Sequence, residues 1–141
     1  MKNRSLRKGL WLLVCLSAGC GFLIGSGLGG KKDGGTNRRL AGVFRGAPVS
    51  ASKLQNPYSG QTQAVLAGRK LFLRHCAQCH GENAEGRWNA PPLSSGVVNE
   101  TPDGVLFWFL KKGNLRAGMP SWSGLPAQQR WQIVSFLKSL R

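Results

Sequence analysis

Apolar residues recur with helical spacing in two stretches of the chain, and a third stretch is apolar almost throughout. Over 63–74, Val65, Leu66, Leu71, Phe72 and Leu73 are apolar while Arg69 and Lys70 fall on the opposite face. That pattern predicts an amphipathic helix. Over 127–140, Trp131, Ile133, Val134, Phe136, Leu137 and Leu140 form a broader stripe, and Pro126 suits the start of a helix. Between them, Val105 to Leu110 holds no polar residue. Thr101 as N-cap with Pro102 at the first position would open this third helix, and Gly113 would close it.

The N-terminal region reads differently. Lys2, Arg4, Arg7 and Lys8 precede a stretch, Gly9 to Gly30, that carries no charge. A basic start, an apolar middle (Leu10 to Leu16) and small residues after it resemble a bacterial export signal. Leu16-Ser17-Ala18-Gly19-Cys20 resembles a lipoprotein box, in which Cys20 would carry lipid, although Ser17 departs from the usual pattern. An uncleaved transmembrane helix is the competing reading, since a span takes about 20 apolar residues. Both readings anchor the chain to a membrane; a fully cleaved signal peptide that frees the domain is the remaining alternative, and all three place the downstream domain on the periplasmic or extracytoplasmic side. Residues 31–61 show no sustained apolar period and are rich in Pro, Ser and Asn toward Gly60. They are expected to form a flexible basic linker with a reach of about 30 Å. Packing of Asn56-Pro57-Tyr58 back onto the domain is the alternative. The expected organisation is an anchor over 1–30, the linker over 31–61 and one domain over 62–141.

Charge narrows the partners. The formal net charge is +15, of which +9 lies in residues 1–61 and +6 in 62–141. No stretch interleaves aromatic with basic residues as a single-strand nucleic-acid groove does, so a nucleic-acid partner is not expected. An anionic leaflet or acidic protein partners account for the excess more simply.

A domain of about 80 residues buries a modest share of its surface and commonly needs a staple. The candidate is Cys76-Ala77-Gln78-Cys79-His80. Two thiols three positions apart on one helical turn can add across the two vinyl groups of one porphyrin, and the adjoining His80 then brings an imidazole beneath the iron. A zinc site would want a second ligand pair, and a redox dithiol would follow a strand rather than a helix.

On these residues the chain resembles the class I c-type cytochrome family over about 62–141. Gly68, Phe72 and Cys76 recur at four-residue spacing on one helix face, as that family's N-terminal helix does where it crosses the C-terminal one. The resemblance implies that Gly68 and Phe72 meet Ile133 and Phe136. Ala90-Pro91-Pro92-Leu93 is similar to the family loop in which a proline carbonyl, here that of Pro91, accepts a hydrogen bond from the axial histidine. The alternative is that these prolines only shape a turn. Arg116-Ala117-Gly118-Met119-Pro120 resembles the family's methionine loop, which makes Met119 the implied second axial ligand. A lone Met also serves to fill core gaps. The short segment between the haem motif and Met119 is closer to small bacterial members, including the haem domains of cbb3-type oxidase accessory subunits.

The resemblance implies an all-α class I cytochrome c fold of three to four short helices wrapped around one covalent haem c. It implies a one-electron carrier rather than an enzyme, with redox proteins as partners and no small-molecule substrate. Lys111, Lys112 and Arg116 would orient acidic partners, or simply be solvated. A haem-bearing subunit of a larger respiratory or dehydrogenase complex is the alternative. A peroxidase or gas sensor would need an open haem site. Replacing Cys76 and Cys79 together by Ser is expected to abolish covalent haem and leave the domain poorly folded. Denaturation followed by circular dichroism checks this, and a stable colourless domain would contradict the staple argument.

Overall fold

The computed structural model describes residues 33–140, so the expected anchor over 1–30, with Cys20, lies outside the described residues. These residues form seven α-helices and no strand, only isolated bridges between Arg87 and Ala90 and between Asn114 and Met119. The helices are α1 (Asp33–Phe44), α2 (Val49–Ser52), α3 (Thr62–His75), α4 (Ala77–His80), α5 (Gly96–Glu100), α6 (Asp103–Lys112) and α7 (Ala127–Ser139). The fold is all-α. Among the described residues no helix is long and apolar enough to cross a membrane.

The crossing of α3 and α7 makes the largest contact between elements. Gly68 permits it, because a Cβ there would strike the Gln132 carbonyl and lie 3.0 Å from the Phe136 Cβ. A mid-helix glycine costs about 1 kcal/mol relative to alanine, which the close backbone approach offsets. One turn on, the fully buried Phe72 ring packs at 5.1 Å against Phe136, and Ile133 belongs to the same core. Helix α6 closes this core with Leu106 and Leu110, and its Phe107 ring stacks on Trp131 at 4.0 Å.

Two expectations are corrected. Thr101 does not cap α6. Its hydroxyl donates to the Val97 carbonyl at 2.7 Å, back into α5, while Pro102 takes the N-cap place without a side-chain cap bond. The corner is held instead by Lys138 of α7, whose ammonium donates to the Asn99 and Thr101 carbonyls and lies 3.5 Å from Asp103.

The second correction concerns the linker expected over 31–61, whose described part, 33–61, is not a flexible linker. From Asp33 onward it is folded onto the domain, which therefore begins well before residue 62. Helix α1 lies against α5 and α6, with Leu40 buried and the Phe44 ring edge-on to Phe109 at 5.3 Å. Helix α2 rests on the start of α6, where Gly104 leaves room for the Ala51 carbonyl. Asn56 is buried, and its amide donates to the Trp131 carbonyl at 3.3 Å and the Ser135 hydroxyl at 3.0 Å. Its carbonyl oxygen accepts the Tyr58 N–H at 3.0 Å. The physical reason for the miss is that a few apolar residues, set among Gly, Asn and Arg, suffice once α5 and α6 supply a surface.

Asn56→Ala leaves two buried acceptors on α7 without this donor. The expected cost is about 1–3 kcal/mol, read as a lowered urea midpoint of the full chain. An unchanged midpoint would show that 53–61 is not anchored in solution.

Candidate functional site

Cys76 stands at a joint. It ends α3, its N–H bonded to the Phe72 carbonyl at 2.8 Å, and its own carbonyl accepts the N–H groups of Cys79 and His80 at 3.1 and 2.9 Å. The next turn, α4, thus carries Cys79 and His80 at fixed offsets from Cys76. Both thiols are free. Burial pushes the Cys76 thiol up to about 12, with Cys79 adding to the shift, so it remains protonated at neutral pH.

After His80 the chain turns sharply. Gly81 has φ +79° and Gly86 φ +82°, both left-handed. A Cβ on Gly86 would lie 2.7 Å from the Pro92 nitrogen and 2.9 Å from the Pro91 carbonyl carbon. The Gly86 N–H returns to the His80 carbonyl at 2.8 Å, and Leu93 bonds to Ala84 at 2.8 Å. The Glu85 carboxyl is held below its ordinary range by its own backbone N–H, against an opposing effect of burial, with help from the Asn83 N–H and the Arg87 charge.

This loop brings the Pro91 carbonyl to 3.0 Å from His80 Nδ1. A carbonyl only accepts, so Nδ1 carries the hydrogen and Nε2 keeps its lone pair. Burial lowers the pKa of His80, partly opposed by the bond to Pro91. The ring is therefore oriented and neutral, the form that binds a metal.

Met119 is placed by a second tight loop. Gly113 has φ +69° and sits against Pro120, where a side chain would not fit. Asn114 and Met119 exchange backbone hydrogen bonds of 2.9 and 3.1 Å around a 3-10 turn, Leu115–Ala117. The Trp122 N–H then bonds to the Leu110 carbonyl at 2.9 Å, tying the loop to the end of α6.

Cys76, Cys79, His80, Pro91 and Met119 all line one cleft of about 1000 Å³. Its floor is apolar, with Phe72, Val98, Leu106, Leu110, Ile133 and Leu137. The size is at the upper end of the range for cofactor sites. Among the described residues no three His, Cys, Asp or Glu side chains cluster to hold a metal ion, so the zinc reading finds no ligand set.

Residues 63–137 match the family model described as cytochrome C oxidase, cbb3-type, subunit III. The chain belongs to this family of c-type cytochromes. A solved structure, cytochrome CL from the marine methylotrophic bacterium Methylophaga aminisulfidivorans MPT, is similar at 28% identity with a TM-score of 0.52. The likeness covers 59% of this chain and 57% of that one, so it spans little more than half of the neighbour. No curated protein matches.

The cofactor of a c-type cytochrome is covalently bound haem c, and the residues present fit it. Two free thiols one turn apart, an imidazole with a free Nε2 and a thioether all face an apolar cleft of sufficient volume. Cys76 and Cys79 would hold the porphyrin edge and His80 the iron.

Sequence reasoning missed two parts of the cleft wall. His75 packs its ring against Trp122 at 5.4 Å, and both line the cleft. Helix α1 contributes a further face. A signal existed for α1 in the spacing of Leu40, Val43 and Phe44.

Gly86→Ala places a side chain where φ is positive and the proline backbone already stands. The expected loss is about 1–3 kcal/mol of stability in denaturant titration of the mature protein. A neutral result would mean that the 81–93 loop is loosely held.

Proposed function

We propose that this chain is a one-electron carrier whose haem iron is ligated by His80 and Met119. The haem, when bound, supplies an iron that cycles between ferric and ferrous. The polypeptide fixes the imidazole, keeps it neutral and excludes water from the ring. The observation that carries the reading is the His80–Pro91 hydrogen bond, which leaves Nε2 free in the cleft that Met119 also lines. A thioether opposite an imidazole favours the ferrous state and raises the potential. With His80 and Met119 both holding the iron, no place on it would remain for a substrate.

Partners dock at the cleft mouth in this proposal. Trp88 lines the cleft and is 94% exposed beside Arg87, and Arg116 lines it from the methionine loop, where the neighbouring Leu115 is 77% exposed. Lys111 is also exposed, and Lys112 lies with its ammonium 4.7 Å from the Trp108 ring. An apolar centre with a basic rim suits brief encounters with acidic redox proteins. The basic start and the uncharged stretch 9–30 support export and membrane attachment, by a lipid on Cys20 or a helix, with the domain on the periplasmic or extracytoplasmic side.

The description of the family model favours a second reading, a fixed haem subunit of a respiratory oxidase. Detergent extraction of the native chain separates the two. A carrier leaves alone, whereas a subunit brings other chains.

Met119→Ala is the decisive variant. The midpoint potential is expected to fall on the order of 100 mV, within the roughly 0.8 V that axial ligands span. The ferrous variant should bind carbon monoxide, which the unaltered protein should ignore. An unchanged potential removes Met119 from the iron, and ready binding by the unaltered protein favours a sensor or peroxidase.

A further inference from the structure

Helix α1 lies outside residues 63–137, the span that matches the family, so whatever it does belongs to this chain rather than to that match. Yet Thr36, Arg39, Leu40, Val43 and Phe44 line the cleft. Their spacing is i, i+3, i+4, i+7, i+8, a single face of a helix. That face changes character along its length. At its C-terminal end it is apolar, with Leu40 buried and Phe44 set edge-on against Phe109, another lining residue. At its N-terminal end it offers the Thr36 hydroxyl and the Arg39 guanidinium.

Haem has the same polarity, an apolar macrocycle with two propionate carboxylates on one edge. We infer that α1 is a wall of the haem site, with Leu40, Val43 and Phe44 against the macrocycle and Arg39 paired with a propionate. This rests on the covalent haem c already assigned to the cleft. A planar guanidinium suits a carboxylate because two parallel N–H groups meet its two oxygens.

Other ionisable groups line the cleft: His75, Glu85, Arg87 and Arg116. Arg87 stands two residues from Glu85, an acid that also lines the cleft. Arg116 belongs to the 3-10 turn of the methionine loop. Arg39 alone stands one residue from the buried Leu40, on the same helix face as the apolar part of the wall.

The consequence is electrostatic. A fixed cation beside a propionate keeps it ionised through neutral pH and offsets its negative charge near the iron. Without that cation the ferric form gains, and the propionate takes up a proton at higher pH. The potential should then fall with rising pH in a range where the unaltered protein is flat.

The test uses the full chain matured with haem, and the variants Arg39→Gln, Arg39→Lys, Arg38→Gln, Arg87→Gln and Arg116→Gln. Arg38→Gln removes the same charge from the neighbouring position, which does not line the cleft. At fixed potential, Arg39→Gln should raise the ferric-to-ferrous ratio about threefold, equivalent to about 30 mV for a one-electron couple. Its pH break should move upward, Arg39→Lys should restore much of the shift, and Arg38→Gln should change little. Equal effects of Arg38→Gln and Arg39→Gln overturn the pairing, as does a pH break that moves only in Arg87→Gln or Arg116→Gln. A pyridine haemochrome spectrum keeps the two failures apart. Normal haem content with no Arg39 effect sinks this inference alone, and an unaltered protein without haemochrome sinks the cofactor as well.

Discussion

Where α3 crosses α7, a backbone carbonyl fills the space that a side chain at Gly68 would need. The geometry downstream depends on that contact. It fixes the axis of α3, and Phe72, one turn along, is sealed against Phe136. Cys76, one turn further, then emerges at the edge of the cleft, with α4 restarting from its carbonyl. A wider crossing would carry both thiols and the imidazole away from the wall formed by α6 and α7. The packing of two helices thus sets the position of the chemistry, although no residue at the crossing takes part in it.

The cleft is otherwise shaped by unusual backbone rather than by regular structure. Positive φ at Gly81, Gly86 and Gly113 turns the chain where a side chain would meet Glu85, the Pro91–Pro92 backbone or Pro120. Ala84 adopts φ +60° while fully buried, so even a non-glycine residue is held in this region by its surroundings. Two small loops deliver a carbonyl to His80 and a thioether to the cleft lining.

Sequence carried the local parts of this arrangement well. Cys76, Cys79 and His80 are adjacent, so their relation is covalent and needs no tertiary knowledge. The approach of Pro91 to His80 is read from resemblance, and the 3.0 Å hydrogen bond supplies the geometry that spacing cannot. The failures share a cause. Thr101 has the composition of a helix cap, but the Val97 carbonyl four residues back captures its hydroxyl. Residues 33–61 are polar on average, and the surfaces that order them are distant in sequence: the faces of α5 and α6 for α1, and α7 for Asn56. Propensity and periodicity register what a segment offers and not what surface awaits it.

The clamp at Asn56 gives the molecule a mechanical hierarchy. Tension on the upstream chain peels α1 and then α2 before it reaches the amide bonds to Trp131 and Ser135. Those bonds couple the pull to α7, the most deeply embedded helix, rather than letting it unravel α3 from its first turn. Force on the upstream chain would then be met first in these outer segments, and the cleft with its two thiols would yield last.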